Sequence, residues 1–164
     1  MTVNVGKWIE PVLYQIKDIL TTGITTKLAA IKATHSNDMT IEDPREYHIG
    51  KTSIVQSVPA IMIYPDSDNG SRWTNESFVM DLNVIVAVVC FDTHPETLQK
   101  MLWRYQQAII ELLQPAGGTT PTGSLNGQVD LCEFNGLRFA GPWEDKGYSG
   151  AAGVLFRIQN EETV

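Results

Sequence analysis

Apolar positions along the chain first recur with the period of a helix. From Lys7 to Thr22, Ile9, Val12, Leu13, Ile16, Ile19 and Leu20 fall on one stripe, and "TTG" with Gly23 supplies a stop. Pro11 has to sit in the first turn or kink that helix. Ile24, Leu28 and Ile31 predict a second, shorter helix ending near Thr34, before the polar "THSND". From Met39 to Gln56 no period is sustained and Pro44 and Gly50 interrupt the chain, which predicts an extended connection with room for one short strand.

The pattern then turns to period two. "VPAIMIY" (58–64) predicts a strand stopped by "PDSDNGS", where Pro, Asp, Asn and Gly each favour a turn. Phe78 to Phe91 alternates throughout, with Phe78, Met80, Leu82, Val84, Val86, Val88 and Cys90 on one face. The other face is polar at Asp81 and Asn83 and apolar afterwards, as expected of a central strand covered on both sides at one end. The period returns to 3.6 over 94–114, where Leu98, Met101, Leu102, Tyr105, Ile109, Leu112 and Leu113 form a continuous stripe. "QPAGGTTPTGSLNGQ" (114–128) is too rich in Gly, Thr and Pro to pack a core and predicts a flexible loop. Val129 to Phe139 and Ser149 to Gln159 read as an antiparallel hairpin with "AGPWEDKGY" as its long tip.

This order does not alternate strand and helix as a doubly wound sheet requires. It predicts one α+β domain over 1–164, with a largely antiparallel mixed sheet of about four to five strands and two to three helices packed on one face. With 43% hydrophobic residues the chain can fill a core without a disulfide or metal.

Charge narrows the function. Twelve Lys and Arg against nineteen Asp and Glu give a net charge of −7, and the basic residues are scattered, so a concentrated positive grip on nucleic acid is not expected. The N-terminus lacks the features of a secretory signal, no apolar run is long enough to span a bilayer, and Cys90 and Cys132 are isolated thiols; a reducing cytoplasm fits.

One stretch resembles a chemical site. "CFDTHPET" (90–97) sets Cys90, Asp92, His94 and Glu96 at alternate positions, but a strand ends and a helix begins within it, so the four groups do not share a face. Helix entry accounts for the same letters. Thr93 and Glu96 have capping-box spacing, Pro95 suits the first helical position, and Asp92 and Glu96 favour the positive end of the helix dipole. The three histidines show no metal-ligand spacing, "AGGTTPTG" lacks the context of a phosphate loop, and no nucleophile motif is present. Neither catalytic residue, metal nor cofactor is expected.

Several large residues remain after the core is assigned. Trp103 and Ile110 lie together on the 94–114 helix, well away from its Leu/Met stripe; they mark either a subunit interface or a second cover within the chain. Trp73 and Trp143 fall in predicted loops, either folded over the rim of the core or again at an interface. Loops 41–57, 65–76, 115–127 and 141–149 are long for a small domain, which favours a part of an assembly.

The layout of a leading helix with "GITTKLAAIKA", the "VPAIMIYPDSD" strand and turn, a long alternating strand, "HPETLQKMLWRYQQAIIELL" and a closing pair ending "GVLFRIQNEE" resembles the tail terminator (tail completion) proteins of long-tailed bacteriophages and related particles. The resemblance spans nearly the whole chain and consists of order and pattern. It implies a non-enzymatic virion protein, made in the host bacterial cytoplasm, that forms a ring, usually of six copies, on the head-proximal end of the tail tube. Such a ring stops tube polymerisation, docks the neck or connector protein, and lets DNA pass through its centre without specific binding. On that reading, Asp66, Asp68, Glu144 and Asp145 are candidates to face the lumen and repel phosphates, while Trp103, Ile110, Trp73 and Trp143 are candidates for subunit contacts. Competing readings are another neck or head-completion protein, the tube subunit itself, or a small enzyme or ligand-binding domain using dispersed carboxylates.

Overall fold

The structure, a computed structural model, describes residues 5–52, 54–114, 125, 129–144 and 146–163. Helix α1 (Val5–Thr34) leads into β1 (Glu46–Ile49), β2 (Ala60–Asp68), β3 (Arg72–Trp73) and β4 (Ser77–Asp92). Helix α2 (Pro95–Leu113), β5 (Leu131–Glu144) and β6 (Tyr148–Thr163) follow. The strands form one mixed sheet in the order β1-β2-β4-β6-β5, with β3 also on β4. Among the described residues only the β1–β2 pair is parallel. The α+β architecture is the expected one, with six strands and two helices among the described residues.

Alternation along β4 builds the two faces. Phe78, Met80, Leu82, Val84, Val86, Val88 and Cys90 enter the main core, where they meet Ile16, Leu20 and Ile24 of α1 and Leu98, Tyr105 and Ile109 of α2. On the opposite face Ile85 and Ala87 join Met62 and Leu155 in a smaller apolar cluster, while Asp81 and Asn83 form its polar end. Helix α1 covers β1 and β2, and α2 covers β4 and β6.

Several boundaries differ from expectation, each for a local reason. The two predicted N-terminal helices are one, because Gly23 acts as a contact point and not as a stop: a Cβ there would lie 2.7 Å from Leu112 Cδ2 of α2. Glycine lets the helices approach closely at that turn. Strand β2 runs past Tyr64 to Asp68 with a register shift at Pro65, and β3 pairs with β4, so much of the predicted 65–76 loop is sheet. The predicted long tip 141–149 is likewise mostly strand, since β5 extends to Glu144 and β6 begins at Tyr148. Most of the predicted 115–127 loop lies outside the described residues, but Leu125 within it is buried in the core that this stretch was expected to avoid.

The start of α2 also corrects the expected capping box. His94, not Thr93, is the N-cap residue, Pro95 takes the first helical position, and no side chain caps the helix. The chain enters the helix one residue late because Asp92 Oδ1 accepts the His94 N–H at 2.8 Å. Glu96 is thereby one position short of reaching back, and pairs with Lys100 at 2.9 Å instead.

Candidate interaction surface

The amphipathic pattern of α2 explains how an apolar surface comes to be left over. Its core stripe is buried on β4 and β6, while Trp103 remains 53% exposed and Ile110 is half-buried on the flank towards β5. Helix α2 meets β5, the outermost strand on that side, along its flank. Phe134, Leu137 and Phe139 of β5 stand opposite Phe156, Val154 and Ala152 of β6, so all three project to the helix side of the sheet and stay exposed.

A bulge produces this alignment. Phe134 and Leu137 are three residues apart, a spacing that strict alternation would send to opposite faces. The register shifts between Phe134 and Gly136, where Gly136 has φ of 137°, and the extra residue returns Leu137 to the face of Phe134. Trp103, Ile110, Leu137 and Phe139, with Gln106, Gln107 and Glu111, thus line a hollow of about 470 Å³. Past Trp103 and Phe139 it continues into a smaller hollow of about 230 Å³ against Leu98, Leu102 and Pro142.

The polar members of this groove are already engaged. Buried Gln106 donates to the Gly153 and Arg138 carbonyls at 3.0 and 3.3 Å, tying α2 to β6 and β5. Glu111 accepts from Gln107 at 2.8 Å and pairs with Lys27 of α1 at 3.4 Å. The groove therefore offers area without an unpaired charge. The edge of β5 is unsuited to adding a strand, because a second bulge falls between Ala140 and Trp143 and Pro142 has no N–H to donate.

No protein-family model matches the chain, and no curated protein matches it. Among solved structures it is similar to a chain from the virion of a native gene transfer agent (GTA) particle. The two superpose with a TM-score of 0.44 at 9% identity, over 71% of this chain and 78% of the other.

The remaining candidates are scattered. Trp73 lies in β3 and packs on Phe78 with ring centroids 5.8 Å apart, at the far end of β4 from Trp143. Trp143 stands in β5 opposite Ser149, which in turn faces Phe91, so it belongs to the other face of the sheet from Trp103. Of the four proposed contact residues, the fold brings together Trp103 and Ile110. The acidic candidates separate too: Asp66 and Asp68 sit at the Leu82 end of the sheet and Glu144 at the Asp92 end, roughly 30 Å away along β4. Asp68 has a local structural role, accepting the Gly70 and Ser71 N–H groups at 3.0 and 2.8 Å, which lower its pKa. Asp145 lies outside the described residues.

The "CFDTHPET" groups do not converge. Cys90 is buried and its thiol pushed up to about 12 by desolvation, whereas His94 is exposed with Nδ1 at 3.0 Å from the Thr93 hydroxyl. Among the described residues, no three His, Cys, Asp or Glu are placed to hold a metal. None of the described helices is long and apolar enough to cross a membrane.

Sequence reading missed a polar network on the face away from the helices. Asp81 accepts from Arg157 at 3.0 and 2.8 Å and from Gln159 at 2.9 Å, and these donors hold its pKa at about 2. Asn69, Asn83, Ser67 and Asn135 extend the network across four strands and the turn after β2. Among the described residues no buried side-chain nitrogen or oxygen is left without a partner, which suits cross-strand fastening better than proton transfer.

Proposed function

We propose that this chain is a single-domain, non-enzymatic structural protein of a phage-like virion that forms a ring, six-membered as its resemblance to tail terminators implies, on the head-proximal end of a tail tube. The ring ends tube growth and presents a docking face to the neck or connector protein. The observation that carries the reading is the apolar groove of Trp103, Ile110, Leu137 and Phe139 between α2 and the edge strand β5. Large exposed aromatics gathered on one side suit a contact with protein, since such area is costly to leave in water.

Charge supports the passage of DNA without retention. The net charge is −7, and Lys27, Arg45, Lys100, Arg104 and Arg157 each pair with a carboxylate, so these cations do not offer a free phosphate-binding stripe. Asp66, Asp68, Glu144 and Asp145 remain the proposed lumen residues; of the three that are described, Asp66 and Asp68 lie at one end of the strands and Glu144 at the other.

Native mass spectrometry and negative-stain microscopy of the concentrated protein test the reading. Closed rings that do not lengthen are expected, together with arrest of tube growth when the protein is added to polymerising tube subunits. Long cylinders would identify a tube subunit instead. A monomer that neither forms rings nor arrests the tube would overturn the proposal.

A further inference from the structure

Three asparagines of the chain directly precede a glycine: Asn69, Asn126 and Asn135. Asn126 lies outside the described residues, and the other two meet at one side chain of the polar network, Asn83. An Asn-Gly step carries its own reactive pair, because glycine has no Cβ to hold its backbone nitrogen away from the asparagine Cγ. The fold requires glycine at both places. Gly70 and Gly136 have φ of 113° and 137°, a region that L side chains rarely adopt. The turn after β2 and the bulge of β5 therefore each bring a chemical weak point with them.

We infer that Asn69–Gly70 and Asn135–Gly136 are deamidation sites held in check by Asn83, which couples the two. In the reaction at the first site the Gly70 nitrogen bonds to Asn69 Cγ and gives up its proton, the Cγ–Nδ2 bond breaks, and ammonia leaves. Water then opens the cyclic imide at either carbonyl, leaving aspartate or isoaspartate and a mass gain of about one dalton. Both reacting groups are engaged in the folded turn. The Gly70 N–H donates to Asp68 Oδ1 at 3.0 Å. Asn69 Nδ2 donates to Asn83 Oδ1 at 3.0 Å and to Asp81 Oδ1 at 3.3 Å, while Asn69 Oδ1 accepts from Asn83 Nδ2 at 2.9 Å. The amide must give up these bonds before its Cγ can turn towards the glycine nitrogen. Asn135 Nδ2 donates to the same Asn83 Oδ1 at 3.0 Å. A carboxylate at position 69 has no N–H to donate and sets oxygen against the oxygens of Asp81 and Asn83. Asn83 is then displaced and its hold on Asn135 weakens, so the first event promotes the second.

Peptide mapping by mass spectrometry follows both sites while the full chain stands in mildly alkaline buffer, either folded or unfolded in guanidinium chloride. Both sites should react at least about tenfold more slowly in the folded chain. Asn83→Ala should raise both rates several-fold towards the unfolded values. Gly23→Val, which disturbs the helix layer on the other face of the sheet, should raise them far less. Asn69→Asp copies the first product and should speed the reaction at Asn135 several-fold; it also carries the test if Asn83→Ala does not fold. Equal rates in the folded and unfolded parent would overturn the inference. Gly23→Val matching Asn83→Ala would do the same, because opening of the whole fold would then govern both sites. An unchanged Asn135 rate in Asn69→Asp would overturn the coupling.

Discussion

Asp81 shows how a single carboxyl can matter on a sheet face that carries no helix. Its charge is held by Arg157, Gln159 and Asn69, and its pKa is lowered from 3.8 to about 2. A carboxyl that ionises more readily when folded stabilises the fold fully above its unfolded pKa of about 4, and the contribution fades as pH falls through about 2. Arg157 is partly open to solvent, which screens the pair, so the stabilisation amounts to about 1 to 2 kcal/mol. Asp81→Asn should lower the unfolding free energy by that much at pH 7 and by little at pH 2, as a pair of urea denaturation series will show. Equal losses at both pH values would assign the cost to packing instead of charge. Sequence offered no route to this network, because Asp81, Arg157 and Asn69 become neighbours only through strand register.

At the scale of elements, Gly23 decides how the helices meet. Gly23→Ala adds a methyl 2.7 Å from the mobile end of Leu112 while gaining about 1 kcal/mol of helix propensity, so stability should stay within about 1 kcal/mol of the parent. Gly23→Val adds branches that Leu112 cannot clear and should lose about 2 kcal/mol in the same denaturation assay. The residue also shows why part of the fold was hidden in sequence. A glycine after "TT" looks like a helix stop until the neighbouring helix is known. Period-two and period-3.6 patterns placed β4 and α2 almost to their ends, since the main-core face of each is a regular row of apolar residues. β5 was harder to read: its two bulges reset the alternation, so Phe134, Leu137 and Phe139 do not look like one row. Trp103 and Ile110 were legible because a regular helix keeps residues seven apart on one side. Their partners across the groove were not.

For the whole molecule, the groove separates assembly from folding. Trp103→Ala and Phe139→Ser strip its wall at exposed positions, away from the α2 core stripe. Each should abolish rings in native mass spectrometry while changing the unfolding free energy by no more than about 1 kcal/mol. Rings that persist in both variants would place the subunit contact elsewhere. The long β4–β6 ladder carries a different consequence. It pairs sixteen residues of each strand, from Ser77 opposite Thr163 to Asp92 opposite Tyr148. Opposed pulls on Ser77 and Tyr148 drive the strands past one another and load many hydrogen bonds together, whereas pulls on Ser77 and Thr163 part them one pair at a time. Single-molecule extension should therefore record a several-fold higher rupture force in the first geometry. The subunit is built to bear tension along its strands and to yield across them.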